Sequence, residues 1–264
     1  MATGLKHAVI EAGLRAISAS GADRWLAPLA RGRGLILTFH HVRPASEDPF
    51  QPNALLAITP AHLDATLALV RELGFDLVSL DAVPGRLAAG PDAGPFCALT
   101  FDDGYRDNRD HALPILRRHG APWTLFVTAE YASGGGRLWW LELEEVIRRQ
   151  DTLTLDGAVL PAGSPEEKRA AFAAAYARLR AGPEGVLRDT IARWCAEAGI
   201  DPAALVRREC MGWDELAEIV REPGVTIGAH TLTHPMLAKH DEAMARREIV
   251  GGGAAIAEAL GTMP

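Results

Sequence analysis

Cysteine is scarce in this chain: Cys97, Cys195 and Cys210 are the only three in 264 residues, and their spacing is uneven. That pattern supports neither a disulfide framework nor a Cys-x-x-Cys metal site. An excess of basic charge is also missing. The net charge is −7, whereas a nucleic-acid binder would present a basic face or stripe. The pairs Arg148-Arg149 and Arg207-Arg208 read as solvated helix faces. No apolar run approaches the length of a membrane span. Between Met1 and Arg33 the apolar positions are broken by Lys6, Glu11, Arg15, Asp23 and Arg24, which leaves no continuous apolar segment of signal-peptide type. The expectation is a cytoplasmic protein with no transmembrane segment and no nucleic-acid partner.

What is present suits one globular domain, since 48% hydrophobic and 23% charged residues can bury a sizeable core while keeping a polar surface. Residues 5 to 30 carry helical periodicity and predict an amphipathic leader lying against the main domain. Gly34 to Phe39 predicts a first buried strand, ending in His40-His41-Val42. Thr59-Pro60 has the form of an N-cap followed by first-turn proline, opening a helix that Gly74 stops. Short strands follow at 75–80, 96–101 and 123–127, with a helix over 108–119 despite Pro114. Strands alternating with helices through short connections predict a parallel sheet, as a β/α barrel or a doubly wound sheet. From about 138 to 213 the pattern becomes mostly helical and predicts an insertion. A strand at 225–229 and a helix at 241–260 complete the chain. Gly251-Gly252-Gly253 should cost that helix about 1 kcal/mol per glycine relative to alanine, so it should fray or bend there.

Two motifs carry chemistry. Asp102 and Asp103 follow the apolar run Phe96 to Phe101, and His230 and His234 follow Val225 to Ala229. Alone, Asp-Asp-Gly would read as a turn and His-x-x-x-His as surface. Together, each directly after a strand, they read as a site, because α/β folds build sites in the loops at strand carboxyl ends. Adjacent acids there would repel unless a cation or proton relieved them. One carboxylate and two imidazoles suit zinc or another first-row divalent ion, with a position left open for water. A second carboxylate remains to act as a base. In His40-His41 successive side chains must point to opposite sides. One or both could be hydrogen-bonded histidines at the strand mouth, or else support the site, touch substrate or donate a proton.

Thr100-Phe101-Asp102-Asp103-Gly104 and His230-Thr231-Leu232-Thr233-His234, with Leu37 to Val42, resemble the signature motifs of the polysaccharide deacetylases, carbohydrate esterase family 4, whose domain is shared with the nodulation chitooligosaccharide deacetylases. The resemblance covers roughly residues 34 to 264 and implies a distorted (β/α) barrel behind a helical leader over 1–33. It implies a metal-dependent hydrolase that removes acetyl groups from an N-acetylated oligo- or polysaccharide. Asp103, His230 and His234 would hold the metal, zinc first among the candidates, and Asp102 would be the general base. Two later family motifs, an Arg-Pro-Tyr-like segment and a Leu-x-x-x-His-like segment supplying the acid, have no counterpart before Pro264, so the implied barrel is incomplete at its carboxyl end. Two other readings stand beside it. One is hydrolysis of a different amide or ester on the same scaffold, since fold does not fix function. The other is a non-catalytic, carbohydrate-binding domain.

Overall fold

The computed structural model describes residues 2–26, 29, 32–90, 93–262 and 264. Its centre is a five-stranded parallel sheet of β1 (Gly34–Phe39), β4 (Asp76–Val78), β5 (Phe96–Phe101), β6 (Trp123–Val127) and β9 (Val225–Ala229). The two-residue strands β2 (His41–Val42) and β3 (Ala57–Ile58) pair with each other, and β7 (Thr152–Leu155) with β8 (Ala158–Pro161). The fold is thus mixed α/β, with helices connecting parallel strands.

β5 is the axis of the sheet, and all six of its residues are buried. One of its edges carries β1 along its whole length. The other carries β4 at the amino half and β6 at the carboxyl half. β6 in turn carries β9, pairing Val127 with Ala229. The carboxyl ends of β5, β6 and β9 therefore lie side by side, and the residues that follow them share one edge of the sheet. The rings of Phe101 and Trp123 meet edge to face at 5.1 Å, a geometry worth about 0.5–1.5 kcal/mol beyond the area it buries.

Local signals account for most of the helices. In α2 (Pro60–Glu72) the Thr59 hydroxyl accepts from His62 N, and Gly74 beyond the end has φ +78°. Ahead of α3 (Leu113–His119), residues Asn108–Ala112 form a wide π turn, so Pro114 falls in the first turn of the α-helix, where its missing N–H costs nothing. Between β6 and β9 run α4 (Ala129–Ala132), α5 (Trp139–Arg149), the β7–β8 hairpin, α6 (Pro165–Ala181), α7 (Glu184–Glu197), α8 (Pro202–Glu209) and α9 (Trp213–Ile219). The stretch from α5 to α8 has its own core, in which Leu143, Ile147, Phe172, Leu187 and Trp194 pack together. It returns to the sheet where Met211 N donates to Gly104 O. α10 (Glu242–Leu260) is capped by Asp241, whose carboxylate accepts from Met244 N at 2.8 Å.

Three expectations are corrected. β1 is an edge strand rather than a fully buried one, and Leu35 and Ile36 remain 39% and 52% exposed; an apolar run does not reveal whether a strand has one neighbour or two. Within the leader, α1 (Ala2–Ser20) is helical, but every residue from Ala8 to Ser20 is exposed. Its apolar periodicity makes a face fit to pack without supplying a partner; residues 1, 27, 28, 30 and 31 of the leader lie outside the described ones. The triple glycine does not interrupt α10, which runs unbroken through it.

The cysteines are free and buried. Burial pushes the Cys97 thiol up to about 11 and the Cys195 thiol to about 12, so neither supplies a thiolate nucleophile or ligand at neutral pH. Among the described residues no helix is long and apolar enough to cross a membrane.

Candidate active site

Asp102 continues the sheet by one residue, its backbone N–H donating to Phe39 O at 2.9 Å. The chain then turns through left-handed backbone at Asp103 (φ +70°) and Gly104 (φ +69°), a conformation that Asp tolerates better than most residues. The turn sends the neighbouring carboxylates to different places. Asp103 is buried at 2% exposure, while Asp102 borders an open cavity of about 390 Å³ whose wall includes Ile36, Leu80, Phe126 and His230.

Asp103 meets both histidines of the second motif. Its Oδ1 lies 3.3 Å from His234 Nε2 and 3.5 Å from His230 Nε2. That oxygen is buried and has no hydrogen bond of good geometry. Two ligands on one tetrahedral zinc, with bonds of about 2.0–2.2 Å, stand about 3.3–3.5 Å apart. The spacing and the donor types therefore fit a divalent ion of that kind held by three protein ligands. Among the described residues this is the only group of three such donors within 4.8 Å of one another.

The electrostatics follow from burial and proximity. Burial works to raise the Asp103 carboxyl, but the imidazoles of His234, His230 and His40 outweigh it and hold the group below its ordinary value. Asp102 is raised, mainly by burial and further by the Asp103 charge, against the pull of His230 and His40. Burial lowers His230 in spite of Asp103. The two acids are pushed apart, as a pair with different tasks requires.

His40 and His41 separate as strand geometry demands. His40 Nε2 is 4.0 Å from Asp102 Oδ2, at the edge of the site. His41 is buried, stacked on Tyr105 at 3.6 Å, with Nδ1 2.7 Å from Asp107 Oδ2. Asp107 also accepts from Val42 N, so the pair ties β2 to the segment after the first motif.

The loop after β9 is anchored residue by residue. His230 N donates to Val127 O, and the buried Thr128 hydroxyl donates to His230 O. Thr231 (φ +65°) and His234 (φ +56°) are left-handed, at about 1–3 kcal/mol each, and His234 N donates to Thr231 Oγ1. The buried Glu248 of α10 accepts from Leu232 N, Thr233 N and Thr233 Oγ1. Tyr131 and Trp140 set their rings 5.9 and 5.2 Å from that of His234. Thr128, Trp140 and Glu248 had no motif to mark them in the sequence.

Gly252 explains why α10 can lie so close. A Cβ there would sit 2.6 Å from the carbonyl of Thr231, which is backbone and cannot step aside. Gly253 meets nothing nearer than 3.7 Å. Gly252→Ala should thus destabilise the protein by about 1–3 kcal/mol, although Gly253→Ala should stabilise by up to about 1 kcal/mol through helix propensity. Urea unfolding of both variants checks the contrast, and equal shifts of the same sign would refute the close-approach account.

Residues 89–264 match the family model described as polysaccharide deacetylase. Among solved structures, the chain is similar to the Streptococcus pyogenes deacetylase PplD in complex with acetate, with 16% identity and a TM-score of 0.53, covering 86% of this chain and 69% of that one. It is also similar to a de-N-acetylase from Aggregatibacter actinomycetemcomitans, with 14% identity and a TM-score of 0.48, covering 88% and 76%. IcaB from Ammonifex degensii follows with 18% identity and a TM-score of 0.47, covering 88% and 72%. No curated protein matches the chain. The likeness to PplD is one of fold, and the family match spans well over half of the chain: this protein belongs to the polysaccharide deacetylase family.

Proposed function

We propose that this chain is a metal-dependent hydrolase that removes acetyl groups from N-acetylated sugars of an oligo- or polysaccharide. The observation that carries the reading is the orphaned Oδ1 of Asp103 between two imidazole nitrogens, with a second carboxylate beside it on the cavity. Asp103, His230 and His234 would hold the ion, zinc first among first-row divalent metals. Bound there, such an ion supplies Lewis acidity toward the acyl carbonyl and acidifies water. Asp102, bordering the cavity, would be the residue that accepts a proton from an attacking water, and its raised affinity for protons suits a base. Ile36, Leu80 and Phe126 give the cavity an apolar side against which an acetyl methyl group can lie. His40, at 4.0 Å from Asp102, is the nearest candidate for returning a proton to the leaving amine. The catalytic domain is taken as residues 34–264, with the helical stretch of about 138–213 inserted in it and 1–33 outside it.

The reading is tested by acetate release from N-acetylated chitooligosaccharides. Release should stop on chelation and return with Zn2+. Release that survives complete chelation would remove the metal from the mechanism. Saccharide binding without release in the metal-loaded protein would favour a binding domain instead.

A further inference from the structure

The loop that carries His234 is gripped from two sides, and one grip comes from the helical insertion. On α7, Arg188 Nη2 donates to His234 O at 3.2 Å and reaches Thr233 O at 3.5 Å. The same guanidinium donates through Nε to Glu184 Oε1 at 2.8 Å. The other oxygen of Glu184 accepts from Met236 N and lies 2.8 Å from His240 Nε2. Glu184 is itself buried. Opposite, Glu248 of α10 takes the N–H groups of Leu232 and Thr233. The peptide groups from 232 to 236 are thus clamped between α7 and α10. Within the clamp sits His234 in left-handed backbone, a conformation that persists only where surrounding bonds over-determine it.

We propose that Arg188 and Glu184 are positioning residues for the ion site: the insertion fixes the backbone of His234, so that its Nε2 stays within ligand distance of Asp103. The inference rests on the metal reading given above. Arg188 is suited to the task because its planar fork presents donors to Glu184 and to the two carbonyls in a fixed geometry, whereas a lysine ammonium is a compact charge on a flexible stem. With the fork removed, the two carbonyls lose their donor. The strained peptide at His234 is then free to relax, carrying the imidazole away from Asp103. Trp140, also from the insertion, packs against the same ring and fixes its face but not its backbone.

The test measures ion binding rather than turnover, on the full chain. Zn2+ affinity by calorimetry and the visible absorption of the Co2+-loaded protein are compared for wild type, His234→Ala, Arg188→Ala and Arg188→Lys, with cooperative thermal unfolding of the metal-free proteins as the control for fold. Removing outer support of a metal ligand typically weakens binding by about 10- to 100-fold. Arg188→Ala should show that loss together with an altered Co2+ spectrum, and Arg188→Lys should recover part of it. Wild-type affinity and spectrum in a folded Arg188→Ala protein would overturn the proposal. If Arg188→Ala does not fold, Arg188→Lys decides: weaker Zn2+ binding supports the clamp, and unchanged binding overturns it. Equal Zn2+ affinity in wild type and His234→Ala would instead defeat the metal reading itself, whatever Arg188 does.

Discussion

Asp102→Asn should lower turnover by about 100- to 10,000-fold, the usual contribution of a general base, while leaving ion affinity unchanged. The separation is possible because the turn at Asp103 and Gly104 aims the two carboxylates differently. Asp102 is not among the donors grouped around Asp103 Oδ1, and it borders the cavity instead. Asparagine keeps its size and its backbone bond to Phe39 but cannot take a proton. Acetate release under single-turnover conditions, with Zn2+ calorimetry on the same preparation, reads both quantities. If the variant lost its ion, Asp102 would belong with the ligands. If turnover were undiminished, the base would be another group, and His40 is the nearest.

The strands of the central sheet and the four candidate site residues were legible in the sequence because they follow from local rules. Short apolar runs bounded by turn formers became β1, β5, β6 and β9, and the acids and histidines of the candidate site stand directly after β5 and β9. What escaped depends on partners distant in sequence. Glu184, Arg188 and Glu248 look in the sequence like ordinary charges on helix surfaces. Only the folded chain brings them onto one loop, 45 residues after Arg188 and 15 before Glu248 in the case of Thr233. Gly252 reads as a weak point of a helix until Thr231 is seen against it. His40-His41 shows the middle case. Strand parity required the two rings to diverge, but the stacking of His41 on Tyr105 and its bond to Asp107 depend on tertiary packing. The exposed β1 edge and the exposure of α1 from Ala8 to Ser20 have the same origin, since periodicity describes a face and says nothing of what covers it.

Asp103→Asn should remove the ion site and shift a neighbouring titration at the same time. On the proposed reading the carboxylate would supply the one anionic ligand, and its buried Oδ1 is the atom that both imidazoles approach. An asparagine retains the shape but brings a neutral, weaker donor, so ion affinity should fall far more than it does in Asp102→Asn. In the metal-free protein the effect on His230 has a definite sign. Burial already lowers that imidazole, and the Asp103 charge is the largest influence opposing it. Without the charge, His230 should lose its proton at a still lower pH, which NMR titration of the ring protons would follow. Binding by the wild type should weaken as pH falls through the histidine range, because the imidazoles must be unprotonated to act as ligands. Burial moves the His230 share of that competition to the acid side of the ordinary value. An Asp103→Asn protein that bound Zn2+ like wild type would show that the carboxylate does not ligate the ion, and one whose His230 titrated at higher pH would show that it does not face the imidazole as charge.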